Sequence, residues 1–218
     1  MRKGHWLLLT VCVFTPCVAD QTLIANAEVA EKIFWKNLYP EGGAHFTLYC
    51  GERFTNKKDD LLIELVYPIQ WVVDYLGCDS LGRCRTESRR FNRMEADLHN
   101  YYPEVKMITR ARANYAYGEI PGEFRDFFEC DFEVDVRNKI VESRTVARGN
   151  IARALFYMHW EYGLPIDKQN INTLIAWHTE DPPSKDEQRR NDLIQKLQGT
   201  RNLFIDNPGK ALQLTNKG

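Results

Sequence analysis

Among the cysteines that follow the first twenty residues there is no Cys-x-x-Cys pair, and no histidines at finger spacing accompany them. A structural zinc site is therefore the weaker reading of those cysteines. There is no internal repeat and no low-complexity linker, so nothing marks a domain boundary in the 218 residues. One α+β domain is the expectation. The apolar run from about Trp6 to Phe14 is too short to cross a bilayer. A strong basic excess, common in nucleic-acid binders, is also missing. Removing residues 1–19 takes away Arg2, Lys3 and no acidic residue, leaving 27 Lys and Arg against 30 Asp and Glu, about −3.

What is present begins with a leader. "MRKGHWLLLTVCVFTPCVADQ" opens with two cations, continues apolar and ends in small residues up to Ala19. It reads as a secretory signal, residues 1–19, cleaved to leave a domain over 20–218, with no membrane attachment afterwards and a secreted or periplasmic destination. Cys17 offers a lipoprotein reading, which Pro16 before it fits poorly. Four cysteines then remain: Cys50, Cys78, Cys84 and Cys130. An even count after an export signal points to two disulfides. Cys78 and Cys84 are near enough to close a small loop, which pairs Cys50 with Cys130.

Periodicity predicts a helix over 27–39, a strand over 44–51 and a strand over 61–68 that stops at Pro68. Residues 72–85 read as an irregular loop, 86–100 as a helix broken by "YYPEV", and 107–135 as loops with short strands. "CDFEVDV" (130–136) alternates as a strand does. The last third reads as helices over 144–162, 167–178 and 184–199. Ser184 and Glu187 form a capping-box signature on the last. Ile151, Leu155 and Met158 make a core stripe on the first.

Glu64 sits inside the apolar run "DDLLIELVYPIQW" (59–71). A carboxylate there is costly to bury without a cation or strong donors. The segments "FWKNLYPEGGAHFTLYCG", "IELVYP", "FNRMEADLHNYYP", "RANYAYGEIPGE", "RGNIARALFYM", "AWHTEDPPSKDEQRRN" and "QGTRNLF", spanning about 34–204, resemble in order the secreted and periplasmic endonuclease I family, of the ββα-metal (His-Me finger) type. The resemblance implies a ββα-metal core with a helical C-terminal half. It implies a metal-dependent phosphodiester hydrolase, with a divalent metal such as Mg, acting on the backbone of DNA or RNA. In this family a Glu-His pair on a strand supplies a metal ligand and a general base, and a downstream asparagine helps hold the metal.

On this chain the pair falls on Glu64-Leu65 and the asparagine on Thr109; Asn114, a possible shift, matches a different family position. Glu95 matches the glutamate of the helix and Arg83 the basic loop. Leucine cannot accept a proton, and losing a general base removes about two to four orders of magnitude in rate. Arg89, Arg90, Arg110 and Arg112 are candidates for phosphate contacts, the bland alternative being a solvated face. Glu64 has a structural alternative as partner of Arg112 or Arg83, and Glu95 a similar one. His45, His99, His159 and His178 read as structural or surface residues, since none follows the strand-turn-helix order the chemistry needs. Three functions stand: an exported nuclease-like protein with impaired catalysis, an active endonuclease with a relocated base, or a secreted interaction protein that keeps only the fold.

Overall fold

A computed structural model describes residues 21–122, 124 and 126–214. The expected signal segment lies outside the described residues. Helix α1 (Ala27–Ile33) starts where the Asn26 side chain accepts from the Val29 N–H, and continues as a π-turn over Phe34–Leu38. Strands β1 (His45–Phe46) and β2 (Arg53–Phe54) form a short hairpin. The strand expected over 44–51 is thus only two residues long. After Phe46 the chain turns, and the Tyr49 N–H goes to the Glu104 carboxylate rather than to a ladder.

Strand β3 (Leu61–Leu65) is followed after Pro68 by α2 (Ile69–Leu76), which Gly77 ends at φ +68°. Helix α3 (Leu81–Glu87) begins on the Ser80 cap and α4 (Arg89–Glu95) on the Ser88 cap. Residues 72–76 and 81–85 are therefore helical, and the irregular loop expected over 72–85 shrinks to 77–80. Gly77 as a stop and Ser80 as a start are ordinary helix punctuation within the stretch read as loop. The Cys78–Cys84 disulfide staples the end of α2 to α3, and the second bridge joins Cys50 to Cys130.

The single helix expected over 86–100 is α4 plus a 3₁₀ turn (Leu98–Asn100), because Asp97 caps a new turn through the His99 N–H. "YYPEV" is β4 (Tyr101–Val105), antiparallel to β3 with Glu64 opposite Tyr102 and Leu65 opposite Tyr101. Helix α5 (Lys106–Arg112) follows directly. It falls in a segment expected to hold only loops and strands. Then come β5 (Ala116–Tyr117), β6 (Phe132–Asp135) and β7 (Ile140–Ser143), with β7 between the other two. Helix α6 (Thr145–Tyr162) lies in the large hydrophobic core, buried among others through Ile151, Leu155 and Met158. Helices α7 (Lys168–Glu180), α8 (Lys185–Gln198) and α9 (Leu203–Asp206) and a 3₁₀ turn (Pro208–Gln213) complete it. The Ser184–Glu187 capping box is formed in both directions.

The architecture is a single α+β domain. A smaller core around Phe34, Leu98, Tyr101 and Ile194 packs beside β3 and the π-turn. The succession β3, β4, α5 puts Glu64 and the Thr109–Arg112 turn of α5 against each other.

Candidate functional site

Along β3, neighbouring side chains point to opposite faces of the strand pair. Leu65 packs toward the smaller apolar cluster. Glu64 turns the other way and is buried, at 2% exposure. There it accepts a hydrogen bond of 3.0 Å from the Tyr49 hydroxyl. Arg112 Nε stands 3.5 Å from Glu64 Oε1, an ion pair without a formed hydrogen bond. The Thr109 hydroxyl faces the same carboxylate and helps hold its pKa down, yet its geometry falls short of a hydrogen bond, so the buried oxygen has no partner.

Arg112 is itself fully buried. Its Nη2 donates to the Val66 carbonyl at 2.6 Å and its Nη1 to the Ala113 carbonyl at 3.1 Å. Its guanidinium lies over the Tyr117 ring, 4.8 Å from the centroid. Tyr117 shares a hydroxyl contact with Tyr49 and also donates to the Val66 carbonyl. Ala113, at φ +50°, takes a conformation that glycine adopts more cheaply. This bend ends α5 directly after Arg112.

Burial pushes the Glu64 pKa up, opposed by Arg112, Tyr49 and Thr109 in that order. Burial works against the charge of Arg112, but Tyr117, Tyr49 and Glu64 outweigh it and raise its pKa, so Arg112 stays cationic. The Tyr117 hydroxyl is pushed up to about 12, chiefly by burial, and stays protonated. Nearby, burial raises Glu104 to about 7 although it accepts backbone N–H groups from Val105, Tyr49 and Cys50.

The other expected site residues lie elsewhere. Glu95 is buried and takes a two-pronged grip from Arg85, at 2.6 to 3.1 Å. Arg83 pairs with Glu87 one turn along the exposed face of α3, so it does not reach Glu95 in this arrangement. Arg89 and Arg110 are exposed. Arg90 reaches the Tyr162 carbonyl at 2.9 Å. Arg112 corrects the expectation of a phosphate contact, because a buried guanidinium closed by two carbonyls has no route to a solvent-borne phosphate. Sequence reasoning missed Arg85, Tyr49 and Tyr117. Arg85 stands in the locally basic stretch 83–93, two residues after Arg83; the tyrosines carry no local signal.

Each of the four described histidines turns a ring nitrogen to a backbone carbonyl away from Glu64. His99 is buried, with Nε2 3.2 Å from the Thr200 carbonyl, and burial and then Arg190 depress its pKa to about 3. His45, His159 and His178 face the carbonyls of Pro40, Leu164 and Pro208.

The model of the family described as Endonuclease I matches residues 46–209. A periplasmic deoxyribonuclease of Aeromonas hydrophila is 36% identical over 91% of this chain and 92% of its own length. The chain belongs to the endonuclease I family. An Endonuclease-1 of Buchnera aphidicola is 32% identical over 55% of this chain and 48% of its own. An extracellular ribonuclease of Bacillus subtilis is 29% identical over 51% and 44%. A secreted or periplasmic location agrees with the names of the Aeromonas and Bacillus relatives, and no helix among the described residues is long and apolar enough to cross a membrane.

Endonuclease I nucleases are in general metal-dependent, and the residues here can be tested for that fit. The donor set is the Glu64 carboxylate, already paired with Arg112, the hydroxyls of Tyr49 and Thr109, and beside them only the hydrocarbon of Leu65. Hard divalent cations need several oxygen ligands, usually with more than one strong donor or substrate phosphates. No group of three or more His, Cys, Asp or Glu that could hold a metal occurs among the described residues. This donor set does not fit a resident divalent cation.

Proposed function

We propose that this is an exported endonuclease I protein that engages DNA or RNA backbone but hydrolyses it poorly. The observation that carries the reading is Leu65, packed into an apolar cluster beside a Glu64 whose cation is internal Arg112. A hydrolytic water there would find as proton acceptors Glu104, whose oxygens already accept the Tyr49 and Val105 N–H groups, and Glu64. The Glu64 carboxylate is buried and hydrogen-bonded by Tyr49, so it is poorly placed to take a proton. Without the base the rate falls by about two to four orders of magnitude. Thr109 offers a hydroxyl where an amide oxygen would bind a metal more firmly. Exposed Arg89, Arg90 and Arg110 are the cations left to meet phosphate, which positions a nucleic acid without reading its sequence.

The test is plasmid DNA and RNA incubated with the mature protein and with Leu65→His/Thr109→Asn, each with magnesium or with chelator. The double variant should cleave at least about a hundredfold faster than the parent, with the gain lost in chelator. A folded double variant with no gain, or a parent that already cleaves at the variant's rate, defeats the proposal.

A further inference from the structure

Away from Glu64 a concavity of about 440 Å³ opens between β1, Tyr102 of β4 and the first turns of α6 and α8. Glu64, Leu65 and Thr109 do not line it. Its cations are Arg144, Arg189 and Arg190. Arg190 lies 4.2 Å from the Tyr102 ring centroid and sends Nη2 to the carbonyls of Leu98 and Tyr101, while its buried Nε has no hydrogen-bond partner. Arg144 sends Nε to the Leu48 carbonyl at 3.1 Å and Nη2 toward the Thr47 carbonyl at 3.4 Å. These acceptors are neutral and hold the two guanidiniums in place without cancelling their charge. Gly51, at φ +68°, permits this: a Cβ there would fall 2.5 Å from Arg144 Nη1.

The two acids of the lining are already engaged, Asp186 with Arg189 and Glu187 with Arg153. Burial lowers the Arg144 pKa, with Glu104, Asp181 and Asp131 compensating only in part, so a bound anion would relieve it. The segment whose carbonyls hold Arg144 also brings aromatic rings to the lining. Phe46 is 56% exposed on β1, beside His45, whose ring packs 5.4 Å from Tyr39. The volume is within the range of small-ligand sites.

Fixed guanidiniums recognise phosphate oxygens strongly, and an exposed aromatic face accepts a base by stacking. We propose that this cavity binds a nucleotide, with the phosphate between Arg144 and Arg190 and the base against Phe46. The site stands whether or not hydrolysis survives at Glu64.

Calorimetric titration with inorganic phosphate, adenosine monophosphate and a 5′-phosphorylated oligoadenylate tests it, on the parent, Arg144→Gln, Arg189→Ala and Phe46→Ala. Thermal melts serve as the folding control. Adenosine monophosphate should bind, about tenfold more tightly than phosphate, and Arg144→Gln should weaken it about tenfold. Phe46→Ala should weaken the nucleotide and leave phosphate unchanged. A much tighter oligonucleotide identifies a strand end as the source, and equal affinity identifies the free nucleotide. If Arg144→Gln does not fold, exposed Phe46 carries the test. Arg189→Ala, whose charge Asp186 already takes up, should change binding little; no binding by the parent, or nucleotide binding unchanged in folded Phe46→Ala, overturns the assignment.

Discussion

Among the described residues two arginine–carboxylate pairs are buried on both sides, and they are built differently. In the helical half, Arg153 grips Glu187 through two bonds of 2.7 and 2.8 Å, and its remaining amino group donates to the Asp181 carbonyl at 2.6 Å. Glu187 also closes the α8 capping box, and the Arg153 carbonyl accepts from Asn202. At the strand pair, Arg112 and Glu64 stand 3.5 Å apart, Arg112 Nε makes no hydrogen bond, and the Thr109 hydroxyl is orphaned. Native interiors satisfy nearly all their buried polar groups, so a cluster of exceptions asks for a reason. The first pair is a clamp that ties α6 to α8. The second is a constellation whose donors do not close on one another.

The contrast can be broken by mutation. Arg153→Met strands the Glu187 charge in a fully bonded setting and should cost about 4 kcal/mol in denaturant unfolding. An equal or smaller cost than at Arg112 would erase the distinction. Arg112→Met should cost less, about 2 kcal/mol, because Glu64 already has a raised pKa and can discharge itself by taking a proton. The sign follows from linkage. A carboxyl whose folded pKa is raised contributes most below its unfolded pKa and loses that contribution as pH rises through the folded value. Without Arg112 that value climbs further, so the destabilisation should be larger at pH 8 than at pH 5. A pH-independent cost would mean that Glu64 keeps its charge by another route. Smallest of the three, Thr109→Val removes an unpartnered hydroxyl at nearly constant volume and should shift stability by less than about 0.5 kcal/mol. A loss well above that would show the hydroxyl to be bonded in solution.

Much of the fold could be read ahead of the structure where a residue's role is local. The α8 capping box needs only Ser184 and Glu187 three apart, and the α6 stripe needs only helical spacing. Residues 72–85 were misread because a disulfide-tied segment suggests a loop, although Gly77 and Ser80 punctuate two helices. The strand over 44–51 failed because the alternation of "AHFTLYCG" persists through a turn whose N–H groups bond to Glu104 and Pro103. The candidate site was half legible. Glu64, Leu65 and Thr109 are the positions the resemblance points to; of the two partners expected for Glu64 the fold takes Arg112, and Glu95 is held by Arg85, which no local signal singled out.

From the order of residues alone came the endonuclease I resemblance, the leucine at the place of a proton acceptor and the unlikeliness of a lone glutamate in an apolar strand. These are matters of chemical identity, and a side chain keeps its chemistry wherever the chain takes it. Only the folded molecule determined that Arg112 turns inward to Glu64, that Tyr49 and Tyr117 join them from distant segments, and that Arg144 and Arg190 share a cavity. Those are matters of proximity. Contacts between residues tens of positions apart depend on how the whole core closes, and spacing along the chain does not encode them.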